Sequence, residues 1–174
     1  MNSRIRTVCE CASPYPELRV ERQNAHYARL LSLAYAGQES ELTTILSYIY
    51  GSKVCEGRAP DTLADTLRCI SKVEMRHLDM LGELITLLGG DPRFCGPDAR
   101  VGINTAMLAY RKEPAQVIRG AIAGEEGAIR LYGDLIRNIN DECVRAVLRR
   151  IVMDEELHLK IFREMAGTSV YNGR

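Results

Sequence analysis

Two of the three histidines in this chain follow a glutamate by three positions, and both pairs interrupt seams that are otherwise apolar. One seam reads Leu63, Leu67, Ile70, Glu74, His77, Leu81, Leu84, Leu88; the other reads Val144, Leu148, Ile151, Glu155, His158, Phe162, Met165. Both advance in alternating steps of four and three, the period of a helix face packed inside a bundle. A single Glu-x-x-His on a helix is most simply a hydrogen-bonded core pair. Two of them at equivalent places in two helices ask for a common partner.

The rest of the chain reads as helix as well. Residues 1–23, with two prolines in "SPYPELRVERQN" and no helical period, are expected to form an extended arm. Residues 24–174 are expected to form one helical bundle. Asn24 caps a first helix running to about Ser52, and Pro60 and Asp61 open a second that Gly89-Gly90 stops after Leu88. Pro114 starts a third, to about Asn138, and Asp141 caps a fourth that runs to Met165 and closes at Gly167. Residues 91–113, rich in proline and glycine, hold at most a helical turn or two. Fully extended, that connection reaches roughly 80 Å, against about 40 Å for a helix of this length. It can therefore return to the starting end. The expected fold is all-α: a four-helix bundle with left-handed packing, its antiparallel hairpins joined by a long crossover.

Periodicity selects the partners on the other two helices. Ile118, Ile122, Glu125, Ile129, Tyr132 and Ile136 form the inward seam of the third, whereas Glu126 falls on a face with Arg119, Arg130 and Arg137. The first gives Tyr27, Leu31, Ala34, Gln38, Glu41, Ile45 and Tyr48; Glu39, on a neighbouring stripe with Leu42, Leu46 and Ile49, is the second choice. Each glutamate lies at a similar distance from the turn of its hairpin, which puts all four carboxylates and both imidazoles at one level. Four buried carboxylates carry about −4 with no Lys or Arg on any seam, and even one unpaired buried charge costs several kcal/mol. Two divalent cations would cancel that charge, with oxygen and imidazole donors suited to Fe, Mn or Zn.

Composition removes other classes. The 174 residues balance 23 basic against 23 acidic side chains, so nucleic acid and anionic membranes are not expected partners. No run of 18 apolar residues exists, and Met1–Val20 lacks the apolar block of a signal peptide, from which a cytoplasmic location is expected. The six cysteines are scattered without a paired CxxC, and idle, reduced thiols are expected. Cys9-Glu10-Cys11, in an arm expected to be mobile, is a weak two-ligand pattern.

Glu41, Glu74-x-x-His77, Glu125 and Glu155-x-x-His158 resemble the ligand set of the ferritin-like di-iron carboxylate superfamily. The stretches "ELTTILSY", "EMRH" and "DEELH" are similar to those of bacterioferritins and rubrerythrins. The resemblance implies two iron ions per chain, with manganese as the alternative. Glu74 and Glu155 would bridge them, Glu41 and Glu125 would each hold one, and His77 and His158 would complete the set. It places Glu74, Glu155 and Tyr48 at the catalytic centre, with Tyr48 and Tyr132 as hydrogen-bond donors behind ligand carboxylates and Gln38 as a weaker candidate. It implies a ferroxidase or an enzyme reducing peroxide or O₂, with Fe(II) as a substrate and an external electron donor, since no rubredoxin-type CxxC is present. A dimanganese catalase and a metal-binding assembly protein without turnover are the alternatives. Met75 stands where bacterioferritins place a haem-binding methionine, about 100° off the seam, and haem is not expected. With 16 residues after His158, a homodimer is expected rather than a 24-subunit shell.

Overall fold

The computed structural model describes residues 8–58, 60–95, 105 and 108–168. Its helices are α1 (Ala25–Ala36), α2 (Glu41–Cys55), α3 (Asp61–Leu87), α4 (Pro114–Asn138) and α5 (Glu142–Gly167). There is no strand element among the described residues. The single first helix expected from the sequence is two. Gly37 ends α1, its N–H donating to Leu33 O, with an extended backbone at which a Cβ would lie 2.4 Å from that same oxygen. Ser40 then starts α2 with a reciprocal cap, its hydroxyl accepting from Thr43 N–H while Thr43 Oγ1 accepts from Ser40 N–H. The Gly37…Ser40-x-x-Thr43 signal is local, and the continuous apolar seam concealed it.

The other ends fall close to where capping chemistry puts them. The Asn24 side chain accepts from His26 and Tyr27 N–H, and Asp141 accepts from Val144 N–H. Gly89 takes a left-handed φ of 85°. With Gly90 N–H on Ile85 O and Gly89 N–H on Thr86 O, this is the turn that glycine permits after a helix.

The helices form a four-rod bundle in which α1 and α2 together make one broken rod. Two apolar clusters show the topology. One joins Leu31 and Tyr35 to Leu81, Leu84 and Leu88, to Tyr132 and Leu135, and to Val144 and Leu148. The other joins Tyr48 and Cys55 to Leu63, Leu67 and Ile70, to Val117 and Ile118, and to Phe162. The α3 and α4 residues appear in the same order in both, so these helices run parallel, while α2–α3 and α4–α5 are antiparallel pairs. That is the crossover connectivity expected; residues 96–104 and 106–107 of the crossover lie outside the described residues. Between the clusters sits one polar layer.

The arm departs most from expectation. Residues 8–24 run along the bundle, Cys9 is buried in the second apolar cluster, and its sulfur is bonded to Cys69 of α3. Two of the thiols expected to be idle, Cys9 of the arm and Cys69 of α3, thus form a covalent tie, and Cys9-Glu10-Cys11 does not offer two thiolates. No described helix is long and apolar enough to cross a membrane.

Candidate metal centre

The polar layer holds all six side chains singled out by the seams. Glu41, Glu74, His77, Glu125, Glu155 and His158 are at most 5 % exposed, in a chain whose other charged groups mostly reach solvent. Their donor atoms form two overlapping groups, Glu41–Glu74–His77–Glu155 and Glu74–Glu125–Glu155–His158, each within 4.8 Å. Glu74 and Glu155 belong to both.

The distances separate two kinds of carboxylate. Glu74 sends Oε2 to His77 Nδ1 and Oε1 to His158 Nδ1, both at 3.1 Å. Glu155 sends Oε1 to His77 Nδ1 at 3.1 Å and Oε2 to His158 Nδ1 at 3.3 Å. Each therefore spans both halves of the cluster. Glu41 and Glu125 serve one half each, with Oε2 lying 3.8 Å from His77 Nδ1 and 3.9 Å from His158 Nδ1 respectively. Their other oxygens are occupied: Tyr132 donates to Glu41 Oε1 and Tyr48 donates to Glu125 Oε1. The tyrosines work in a crossed pair, each on the opposite helix's carboxylate. Gln38 and Glu39 are not in the layer; both are exposed at the α1–α2 break.

The imidazoles turn their far nitrogens outward. His158 Nε2 lies 2.8 Å from Cys9 O, and a carbonyl only accepts, so Nε2 carries the hydrogen. His77 Nε2 lies 3.1 Å from Asp154 Oδ2. Both rings thus present Nδ1 to the carboxylates, as imidazoles fixed behind a metal do.

Electrostatics give the layer its character. Burial pushes the Glu41 carboxyl well up, and the neighbouring Glu74 and Glu155 push further. Glu125 is raised in the same way by burial and by Glu155 and Glu74. Burial also raises Glu74 and Glu155, but the two histidines outweigh it and hold both low. For the histidines burial favours the neutral ring, and the ring of carboxylates overrides it and raises both. Two of the bridging oxygens, Glu74 Oε1 and Glu155 Oε1, are buried with no hydrogen-bond partner. Such orphaned acceptors are costly, and they sit where both halves meet. The donor set, about −4 in full ionisation with two imidazole nitrogens, fits two divalent cations in oxygen-rich sites. Each of those two oxygens lies 3.1 Å from an imidazole Nδ1 without the alignment of a hydrogen bond.

A shell that the seam analysis missed supports the histidines. Asp154 is fully buried, and it accepts from Cys11 N–H at 2.7 Å and from Tyr15 OH at 2.5 Å, with Arg150 Nη1 2.7 Å away. Burial would raise the Asp154 carboxyl, but bonds from His77, Tyr15, Cys11 and Arg150 bring it down to about 2. The Arg150 guanidinium stacks 4.0 Å over the Tyr15 ring and donates to Cys11 O and Ser13 O. Asp154 neighbours Glu155 in "DEELH", and the Arg150–Asp154 spacing of four was visible. The arm's docking was not.

A cavity of about 270 Å³ opens between α2 and α4. Glu41, Glu74, Glu125 and Glu155 form its floor, and Thr44, Ser47, Gly120, Ala121 and Gly124 are among its walls. Small side chains on both helices keep that face open, so a molecule of a few atoms can reach the carboxylates while the histidine side is closed by the arm.

Comparison with known proteins gives a consistent picture. Residues 37–168 match the ferritin-like domain. The probable manganese catalase of Clostridium acetobutylicum is 25 % identical over 178 residues, covering 85 % of this chain and 73 % of that protein. A manganese catalase from Anabaena PCC7120 superposes with a TM-score of 0.82 at 22 % identity, over 97 % of this chain and 86 % of that one. A bacterioferritin from Mycobacterium tuberculosis superposes with a TM-score of 0.68 at 26 % identity, over 83 % and 86 %.

Proposed function

The chain belongs to the ferritin-like domain family, and from that premise we propose that it is a two-metal oxidoreductase acting on hydrogen peroxide. The observation that carries the reading is the pair of carboxylates, Glu74 and Glu155, each with one oxygen toward either histidine and one oxygen left without a donor. In this reading Glu74 and Glu155 would be shared by the two ions. Glu41 and His77 complete one half, and Glu125 and His158 the other. A bound pair would supply two-electron exchange: one peroxide would give up two electrons and two protons and leave as O₂, and a second would take them up and leave as two waters.

What the protein does follows from its own atoms. The α2–α4 cavity admits a small substrate from the carboxylate side. The apolar clusters above and below close the layer along the bundle axis and leave the cavity as the route to the carboxylates. Tyr132 and Tyr48 pin Glu41 and Glu125 by one oxygen each, fixing the direction of the other. Burial and the acidic neighbours push both phenols well up, so they remain donors across the physiological range. Glu41 and Glu125, the carboxyls raised by burial in the metal-free layer, would release their protons as ions load.

Manganese is the metal favoured by the Clostridium acetobutylicum relative. Iron, with ferroxidase or peroxidase turnover and an external donor, is favoured by the bacterioferritin at 26 % identity. The test is metal analysis of protein from its native host, followed by peroxide addition. Manganese with sustained O₂ release supports the catalase reading; iron with peroxide loss and little O₂ supports the second. Two bound ions with no consumption of peroxide or O₂ would leave a storage or assembly protein and refute an enzyme.

A further inference from the structure

The two halves of the cluster are supported differently. Behind His77 stands Asp154, held by Arg150 of the same helix and by Tyr15 and Cys11 N–H of the arm. Behind His158 stands a backbone carbonyl, that of Cys9. Residues 11–15 are anchored on Arg150 and Asp154 by at least four hydrogen bonds. Cys9 lies beyond those anchors, and its covalent hold on the bundle is the bond to Cys69.

We propose that Tyr15 and Cys9 are positioning residues for the two histidines, and that the Cys9–Cys69 disulfide is a redox clasp on the His158 half of the site. The inference rests on the reading that the cluster holds two metal ions. With the clasp closed, Cys9 O takes the Nε2 hydrogen of His158 and leaves Nδ1 aimed at Glu74 and Glu155. A dithiol reductant opens it: the S–S bond breaks, two electrons and two protons pass to Cys9 and Cys69 as thiols, and the dithiol closes into its own disulfide. Hydrogen peroxide, the substrate class proposed for the site, reverses this. The peroxide O–O bond breaks, two waters leave and the S–S bond re-forms. Peroxide would thus favour the state in which both halves hold their ions. The His77 half keeps its support in either state, because none of its partners depends on the disulfide.

The experiment uses the full chain loaded with manganese, oxidised or reduced with a phosphine that breaks the same bond without binding metal. Ions per chain are counted after dialysis against a chelator. Loss of an outer partner of a metal-bound histidine typically weakens affinity about 10–100-fold. Two ions retained when oxidised, one when reduced, and two again after peroxide treatment and reloading are expected. Cys69→Ser should retain one whatever its redox history, and Tyr15→Phe should weaken retention at the His77 half even when oxidised, with the loss on reduction still added to it. If Cys69→Ser does not fold, the reduction and re-oxidation of the wild-type chain still decides. Equal retention of two ions in both states would overturn the clasp alone. No ions bound in either state would overturn the two-metal reading and the clasp with it, and loss of both ions together on reduction would refute the assignment to one half.

Discussion

Acidification should strip the metal pair steeply, and the proton inventory of the layer says how steeply. Without metal, Glu41 and Glu125 are raised by burial and acidic neighbours, and His77 and His158 by the carboxylates around them. Glu74 and Glu155 stay ionised. Those directions move the metal-free layer toward neutrality, toward two carboxylates balanced by two imidazolium rings and two neutral carboxyls. Two divalent ions need every carboxylate ionised and both Nδ1 atoms free, so loading expels up to about four protons. Each displaced proton makes loading less favourable by about 1.4 kcal/mol per unit of pH decrease. Going from pH 7 to pH 6 should then weaken combined binding of the pair by up to about 5.5 kcal/mol, roughly 10⁴-fold. Calorimetric titration of the metal-free chain in two buffers of different ionisation enthalpy counts the protons directly. Release of less than about one proton per pair of ions, or affinity flat between pH 6 and 8, would refute the inventory.

The same groups set the stability of the metal-free chain in the opposite sense. Histidine and carboxyl groups raised above their unfolded values contribute stability at low pH that is lost as pH rises through the folded values, so the unfolding temperature of the metal-free chain should fall from pH 7 to 9 while the loaded chain changes less. Glu74→Ala removes the carboxylate shared by both halves and should lose at least one ion per chain by metal analysis; full retention would show that the bridging assignment is wrong. Tyr132→Phe and Tyr48→Phe each leave a buried carboxylate oxygen without its donor, and each should cost about 1–3 kcal/mol in denaturant unfolding. Gly90→Ala places a Cβ 2.7 Å from that of Ala28 and should destabilise the α1–α3 contact by about 1–3 kcal/mol, with metal content unchanged.

The layer was legible in the sequence because burial on a helix leaves a periodic trace. Glu74, His77, Glu155 and His158 stand out as polar letters in apolar words, and Glu125 was separated from Glu126 by the arginines that share the latter's face. The α1–α2 break was written in Gly37 and Ser40-x-x-Thr43, but a seam that stays in register across a short kink carries no mark of it. The arm was illegible for a different reason. Many of its contacts with the bundle run through Cys9 O, Cys11 O, Cys11 N–H and Ser13 O, and backbone atoms are the same in every residue. Pairing of Cys9 with Cys69 depends on where the arm lies, which no local pattern specifies.

That difference in legibility follows a difference in the site itself. Inside the bundle the two halves mirror each other: a glutamate with a crossed tyrosine, a shared pair of bridging carboxylates, and one imidazole Nδ1. Outside they do not, since His77 meets an ionised carboxylate and His158 a neutral carbonyl. A carboxylate behind an imidazole makes the ring a stronger donor than a carbonyl does. The His77 half should therefore take its ion first and release it last, and loading should proceed in two steps. In the proposed reading, two like ions in unequal surroundings, closed on the histidine side and open on the carboxylate side, would give an incoming peroxide two unlike positions to meet across one floor of four glutamates.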